Sequence, residues 1–464
     1  MITGLTHELT LLYWIIPTLT THADFSIIYA TFICLIIAWI RSLWFIACGI
    51  MIHLSIKKPW QLFVLPVIWV ALEWLKNWGS LGFPWELLGY SQWQWIGLIQ
   101  IADIFGVYGV SALIMLINVC IFLVVLNFCE KQWQACSISN KLMFFSISIA
   151  TFSIILSLTY GAIRIKEMDA QAKASPHKKI MIVQPNIPQH EKWDGNNRLS
   201  ITKKLIQLTY AGSQQDIDFV IWPEVALPYP FHSKHQLRQY VLDSIKQMQV
   251  GLVFGSPTFI AQGGTLKYHN SAYIIDKQGT IQARYDKAHL VPFSEYLPFH
   301  FFRNFWKRLG APDEKFVPGQ VGEVYDINGA LIGIQICYEI IFPAYARIMT
   351  HNGANVLINI SNDAWFDRTA CAYQHFSMAI FRAVENKRAV LRAANTGISG
   401  MVDPCGRTVS TTRLFETSTI VYDVPLLVKQ TIYSKYEDYF AVGAFVFLLG
   451  WIVFWQYLYA RKCP

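Results

Sequence analysis

Charge is what this sequence has least of. Of its 464 residues, 15% are Asp, Glu, Lys or Arg and 54% are hydrophobic, where a soluble domain carries about 25% charged residues. The deficit excludes an ordinary soluble globule for the whole chain. It is also uneven. Residues up to about 165 are almost devoid of charge, residues 166–437 have the composition of a soluble domain, and residues 438–460 are apolar again. Other features are missing too. No CxxC pair occurs, and of the nine cysteines only Cys337, Cys371 and Cys405 fall in the polar region. A disulfide framework or zinc site is therefore not expected, and a free reactive thiol is. The Lys and Arg residues, which bring the net charge to +8, are scattered rather than gathered on a run or face. That spacing fits membrane orientation and not nucleic-acid binding. The start has neither a basic n-region nor a small-residue cleavage site, so no cleavable signal peptide is expected. No fixed-period repeat or low-complexity segment is present.

What is there begins with hydrophobic runs. A spanning helix needs about 20 mostly apolar residues. Residues 26–50, 60–78, 107–128, 142–163 and 439–460 each supply one, and 4–19, short and carrying His7 and Glu8, is a weaker sixth. The 51–60 connection holds Lys57 and Lys58, the 129–141 connection Lys131 and Lys141, and the tail Arg461 and Lys462. Connections 19–25 and 79–106 hold no Lys or Arg. The positive-inside rule puts the first group in the cytoplasm. Residues 166–437 then lie on the opposite side, provided that 4–19 also spans. The 79–106 connection is rich in Trp, Tyr and Gly. It reads either as an interfacial aromatic belt or as a lip that guides a lipid.

Residues 166–437 alternate short β-branched runs with helical patterns, the signature of a layered α/β domain. Strands are expected at 179–184, 218–223, 251–255, 270–276, 331–337, 355–360, 389–394 and 398–403. Helices are expected near 197–211, 234–249, 342–351 and 373–387. The polar stretch 164–178 reads as a linker leaving the membrane.

Three expected strand ends each deliver a chemically useful residue. Phe219-Val220-Ile221-Trp222-Pro223 ends in Glu224, Tyr285-Asp286 in Lys287, and Ile334-Gln335-Ile336 in Cys337. Strand ends are where α/β folds place active residues. A thiol attacks a carbonyl as the thiolate. A carboxylate can take its proton, and an ammonium can stabilise both thiolate and oxyanion. Taken singly, Cys337 is an ordinary buried cysteine, Glu224 a helix cap and Lys287 a solvated loop lysine. Together, in this order, they form a nucleophile, a base and a cation.

The order Trp-Pro-Glu, Lys-x-His-Leu-Val-Pro-Phe, Ile-Cys-Tyr-Glu resembles the nitrilase superfamily, and more closely its membrane-bound branch, the apolipoprotein N-acyltransferases. Further segments carry the likeness: Val183 to Gln189 with Lys192-Trp193-Asp194, Pro292 to Pro298, Ser361 to Phe366 with Gln374-His375, and Arg392 to Ser399. In the apolar part, Gly82-Phe83-Pro84-Trp85 and Gly89-Tyr90-Ser91-Gln92 match the branch's long periplasmic loop. Members of this branch usually start with further hydrophobic helices ahead of the segment that resembles 4–19.

The resemblance implies an α-helical transmembrane bundle plus an α/β extramembrane domain, a nitrilase-like αββα sandwich. Residues 1–165 would be the N-terminal helices with the periplasmic loop 79–106, residues 166–437 the periplasmic catalytic domain, and residues 438–464 the last helix and basic tail, in the bacterial inner membrane. Cys337 would be the nucleophile, Glu224 the base and Lys287 the oxyanion-stabilising cation. Glu295 would support Lys287, while Tyr338 and Glu339 would shape the pocket. Trp193 and Trp365 would sit near the mouth through which lipid enters, and Phe83 and Trp85 in the aromatic loop would also meet substrate. The acyl donor would be a phospholipid and the acceptor an apolipoprotein, with no metal or organic cofactor. A membrane-anchored amidohydrolase would use the same triad with water as acceptor. A transporter or receptor would keep such a domain only to bind ligand, without need of the thiol.

Overall fold

The computed structural model describes residues 1–79, 82–213, 215–233, 236–262, 265–297 and 316–460. Arg461 and Lys462 of the basic tail, Pro298 after Lys287, Ser80 and Leu81 of the aromatic loop and residues 234–235 of an expected helix lie outside them. The chain divides into two units. One comprises Met1–Trp78, Gly82–Glu167 and Lys435–Pro464, the other Gly79–Leu81 and Met168–Ser434.

The first unit is helical. Among the described residues, three of its helices are long and apolar enough to cross a membrane: Ile27–Ser55, Val107–Phe128 and Asn140–Ala174. The last helix is Tyr439–Ala460, with a described apolar stretch Tyr439–Trp455. Two expected spans are broken. The 60–78 run is a 3-10 turn, Pro59–Val64, leading into an α-helix at Leu65–Leu75. Pro59 and Pro66 account for this, because proline is at home only in a first turn. The 4–19 run is two helices, Ile2–Leu12 and Ile15–His22, with Pro17 in the first turn of the second. The polar linker expected at 164–178 is also absent: helix Asn140–Ala174 runs on through it. Residues 164–174 are mostly Ala, Lys, Glu, Gln, Arg and Met, all strong helix formers, and proline first occurs at Pro176.

Charges buried among these helices are paired, as an apolar setting demands. Arg41 Nε meets Glu8 Oε2 at 3.1 Å, and Arg41 Nη2 donates to the Phe83 carbonyl at 3.2 Å. Glu73 Oε1 accepts from Leu88 N at 2.6 Å and Trp69 Nε1 at 2.9 Å. Two helix residues thereby hold the aromatic loop at Phe83 and Leu88.

The second unit is built on two six-stranded sheets. Its strands are β1 (His177–Gln184), β2 (Phe219–Ile221), β3 (Gly251–Gln262), β4 (Thr265–Ile275), β5 (Ile281–Asp286), β6 (Val324–Ile327), β7 (Ala330–Ile336), β8 (Val356–Ser361), β9 (Ala389–Ala394), β10 (Gly400–Val402), β11 (Thr408–Thr411) and β12 (Ser418–Pro425). The sheet orders are β12-β1-β2-β3-β4-β5 and β11-β10-β9-β8-β7-β6. Each has a parallel centre, β1-β2-β3 in one and β7-β8-β9 in the other. Helices Arg198–Gly212 and Gln236–Met248 make the crossovers of the first sheet, and Pro343–His351 and Cys371–Asn386 those of the second.

Side-chain alternation sets the layers. Ile180, Ile182, Phe219 and Ile221 of the first sheet share one core with Ile334, Ile336, Val356 and Ile358 of the second. Their neighbours Met181, Val183 and Val220 face the other way, onto Ile201 and Leu205 of one helix and Val241 and Ile245 of the next. This is the αββα sandwich that the resemblance implies. The central strands are buried on both faces, so they read as continuous apolar runs.

Candidate active site

The three candidate residues sit at strand ends, as expected. Lys287 follows β5 directly and Cys337 follows β7 directly, while Glu224 stands on the turn after β2. Cys337 has φ +52°, a left-handed conformation costly for any side chain with a Cβ, and opens a 3-10 turn, Cys337–Ile341. The thiol-bearing residue therefore leaves its strand at a sharp corner. The Glu224 turn needs close backbone approach as well. A Cβ on Gly255 of β3 would lie 2.3 Å from Val225 N and 2.7 Å from the Glu224 Cα. Only glycine lets that turn lie against β3.

Lys287 Nζ lies 3.0 Å from Glu295 Oε2 and 3.8 Å from Glu224 Oε1, and the lysine is 2% exposed. Asn270 Nδ2, from β4, bridges the two carboxylates, donating to Glu224 Oε1 at 2.8 Å and Glu295 Oε1 at 3.2 Å. Backbone donors complete each carboxylate: Asn362 N to Glu224 Oε2 at 2.9 Å, and Val291 N to Glu295 Oε2 at 2.7 Å. Burial alone would lower the Lys287 ammonium, but Glu295 and Glu224 outweigh it and hold Lys287 protonated. Burial, with Glu224 and Asp363, pushes the Cys337 thiol up to about 12, against the pull of Lys287. At neutral pH the sulfur rests as a thiol. Attack by it requires a base.

Glu339, expected to shape the pocket, braces the segments around it. Tyr285 Oη, Ala288 N, His289 N and Ile336 N all donate to its carboxylate, at 2.6–3.0 Å. It thereby ties the peptide after Lys287 to the end of β7. Burial pushes Glu339 up to about 7, against the donors at Ile336 and His289. Glu339→Ala would strand four donors, each costing about 1–3 kcal/mol when left buried and unpaired. The expected result is a melting temperature lower by about 10 °C or more and lost activity together. An unchanged melt would remove Glu339 from this bracing role.

Tyr338 packs edge-on to Phe342 at 5.2 Å. Burial and the Lys287 charge pull nearby His289 down to about 4, so it is neutral. Trp193 and Trp365 lie 55% and 38% exposed on the sandwich unit. Phe83 and Trp85 belong to the helical unit, where their rings stack at 5.5 Å and Trp85 is 3% exposed.

Two groups gained no role from sequence. The first stands behind Cys337. His375 Nε2 donates to the Cys337 carbonyl at 3.2 Å, and Asn359 Nδ2 does so at 3.2 Å. The carbonyl can only accept, so Nε2 carries a proton, while Nδ1 lies 2.9 Å from Arg392 Nη2 and 3.2 Å from Asp363 Oδ1, and Arg392 Nη2 donates to Asp363 Oδ2 at 2.7 Å. The second is Lys192, buried at 2% exposure, whose Nζ donates to the Glu224 carbonyl at 3.1 Å. Lys192, Asp363, His375 and Arg392 all lie in segments that carry the family resemblance, but the polar pattern alone does not separate a buried ion pair from surface charge. Among the described residues no group of three or more His, Cys, Asp or Glu is arranged to hold a metal ion.

Comparison with known proteins covers both units. The family model "Carbon-nitrogen hydrolase" matches residues 179–433, and "Apolipoprotein N-acyltransferase N-terminal domain" matches residues 1–120. The apolipoprotein N-acyltransferase of Geobacter metallireducens is 33% identical over 444 residues, covering 95% of this chain and 83% of that protein. That of Rickettsia prowazekii is 32% identical over 454 residues, covering 96% and 87%. An amidase from Nesterenkonia sp. is a looser structural match, at TM-score 0.40 and 20% identity over 55% of this chain and 92% of its own. With both units matched and such relatives along nearly its whole length, the chain belongs to the apolipoprotein N-acyltransferase family.

Proposed function

We propose that the chain moves an acyl group from a phospholipid to the free α-amino group of the diacylglyceryl-modified N-terminal cysteine of an apolipoprotein, through a thioester on Cys337. The observation that carries this reading is the buried Lys287, ion-paired with Glu224 and Glu295 and close enough to Cys337 to pull its thiol down. Glu224 takes the thiol proton as sulfur attacks the ester carbonyl. Lys287 faces the oxyanion of the tetrahedral intermediate. Collapse breaks the ester C–O bond, and the proton on Glu224 passes to the departing lysophospholipid alkoxide. The acceptor amine then attacks the thioester and Glu224 takes its proton. Collapse breaks the C–S bond, an amide forms, and the proton returns to sulfur. Glu295 holds Lys287 in place and Glu339 holds the peptide that carries it.

The family is one of lipid-modifying membrane enzymes, and three apolar helices here are long enough to span. The finer placement is part of the proposal: bacterial inner membrane, with residues 166–437 on the periplasmic side as the catalytic domain. It follows from Lys57, Lys58, Lys131 and Lys141 in two connections and their absence from 79–106. Anchoring suits the chemistry. Both substrates carry acyl chains that leave the bilayer only at about 0.8 kcal/mol per CH₂, so the site must meet them at the interface. Trp193 and Trp365, exposed on the sandwich unit, are proposed to contact such chains; on the helical unit Phe83 is proposed to do so, with the buried Trp85 stacked against it.

The test is to trap the first half-reaction. Full-length protein in lipid–detergent micelles is given phospholipid labelled in its acyl chain, without acceptor. One labelled acyl group on the Cys337 peptide is expected, discharged to amide when a diacylated lipopeptide amine is added. Retained transfer with no label on Cys337 would overturn the covalent route. Rapid discharge to water alone would turn the reading into an amidohydrolase.

A further inference from the structure

We propose that Lys192 is a positioning residue of the acyl-transfer centre: its ammonium pins the peptide that carries Glu224 and supplies the second positive charge against which the Cys337 thiolate forms. This rests on the reading of Cys337 as nucleophile.

The placement of Lys192 is built. It ends the short helix Gln189–Lys192, which follows β1 after Pro185 to Pro188. Asn395, beyond β9, clamps this segment through Ile187, accepting from Ile187 N at 3.0 Å and donating to its carbonyl at 2.8 Å. Asn362 Nδ2 donates to Gln189 Oε1 at 3.0 Å, while the backbone N–H of the same Asn362 holds Glu224 Oε2. The lysine and the carboxylate therefore hang on one shared residue. The ammonium carries three donors, and among the described residues it has one acceptor, the Glu224 carbonyl.

Cost argues for function. An ammonium at 2% exposure has lost its water, a penalty that one neutral carbonyl does not offset. An uncharged donor would pin that carbonyl more cheaply. The charge makes sense against the rest of the centre. Glu224 and Glu295 are two carboxylates, and Lys287 is one ammonium bonded to Glu295 and close to Glu224. Without Lys192 this buried set is net negative and opposes a thiolate. With it, the set is balanced. The other charged or titratable groups around the centre are already committed: Asp363 to Arg392 and His375, Glu339 to its four donors, and His289 is neutral. Burial pulls Lys192 down to about 8, while Glu224 and Cys337 pull the other way. Its charge is thus present at neutral pH and lost just above it.

Iodoacetamide, small and uncharged, tests this without lipid. Full-length wild type, Lys192→Met, Lys192→Gln and Lys192→Arg in micelles are alkylated between pH 6 and 9, and the Cys337 peptide is read by mass. A charge that shifts the thiol by about one pH unit changes the rate about tenfold. The Met and Gln variants are expected to be about tenfold slower at pH 7, with the gap to wild type closing above about pH 8. Lys192→Arg should match wild type at pH 7 and lead it at pH 9, because a guanidinium keeps its proton. A gap independent of pH, or no gap, overturns the proposal, as does a Gln variant equal to wild type beside a slow Met variant. Should Met and Gln fail to fold, the Arg–wild-type divergence at pH 9 decides alone. Alkylation that behaves as stated while phospholipid never labels Cys337 would sink the acyl-transfer reading and leave Lys192 in place.

Discussion

Cys337→Ala should abolish acyl transfer. The measurement is the mass of a lipoprotein N-terminal peptide from cells depleted of their own N-acyltransferase and supplied with either protein. Wild type should add one amide-linked acyl chain and the variant none, a loss of at least about 10³-fold, since removing a covalent nucleophile leaves only binding and oxyanion stabilisation. The substitution is otherwise mild. Cys337 is half-buried at the corner after β7, and alanine meets the same φ +52° with the same Cβ. The protein's melting temperature should hardly move, so lost activity reports on sulfur and not on folding. Transfer retained in Cys337→Ala would end the thioester mechanism.

Glu224→Gln is the second large loss, and its pH dependence is the sharper observation. Burial pushes the Cys337 thiol up to about 12, so about one molecule in 10⁵ holds a thiolate at pH 7. In the proposed mechanism wild type avoids that deficit by moving the proton to Glu224 within the attack. The amide cannot accept it, and acylation of Cys337 should fall by about 10³-fold or more. The sign follows from the raised thiol. The amide removes one of the charges that raise the thiol, so the variant's thiol lies below the wild-type value; wherever it still exceeds the pH the thiolate fraction grows tenfold per unit, and the variant's residual acylation should rise about tenfold from pH 7 to 8 and again to 9. A flat residual rate would mean that Glu224 is not the base. One of the two bonds that Asn270 Nδ2 and Asn362 N donate to Glu224 will meet an NH₂ instead of an oxygen. Some loss of stability, about 1–3 kcal/mol, is therefore expected and must be measured separately.

Legibility of the fold followed burial. The central strands at 179–184, 331–337, 355–360 and 389–394 are apolar on both faces and are found within a few residues of expectation. Within the sandwich unit, the strands that the pattern did not reveal are β5, β6, β11 and β12, the edges of its two sheets. Thr408–Thr411 is exposed at every position, and Ile281–Asp286 reads Ile-Gln-Ala-Arg-Tyr-Asp. Edge strands carry polar residues because an apolar edge would pair with another chain. In β5 and β11 these residues erase the periodicity by which a strand is recognised; β12, with Ile420, Val421, Tyr422 and Val424, has no such disguise.

The sequence by itself determined the division into membrane-length apolar runs and one α/β region, and it placed a thiol, a carboxylate and a lysine, those of the proposed chemistry, at three strand ends. Composition and strand-end motifs are local properties and survive in one dimension. Only the tertiary structure decided where two apolar runs break at prolines and that the polar stretch after Arg164 is helix. It alone decided that Glu339 braces two strand ends, and that Asn270, His375 and Lys192 bond to Glu224 and to the Cys337 carbonyl. Those partners come from β4, from the helix after β8 and from the turn after β1. What makes them matter is loss of water around a charge, and that exists only once distant segments have closed over it.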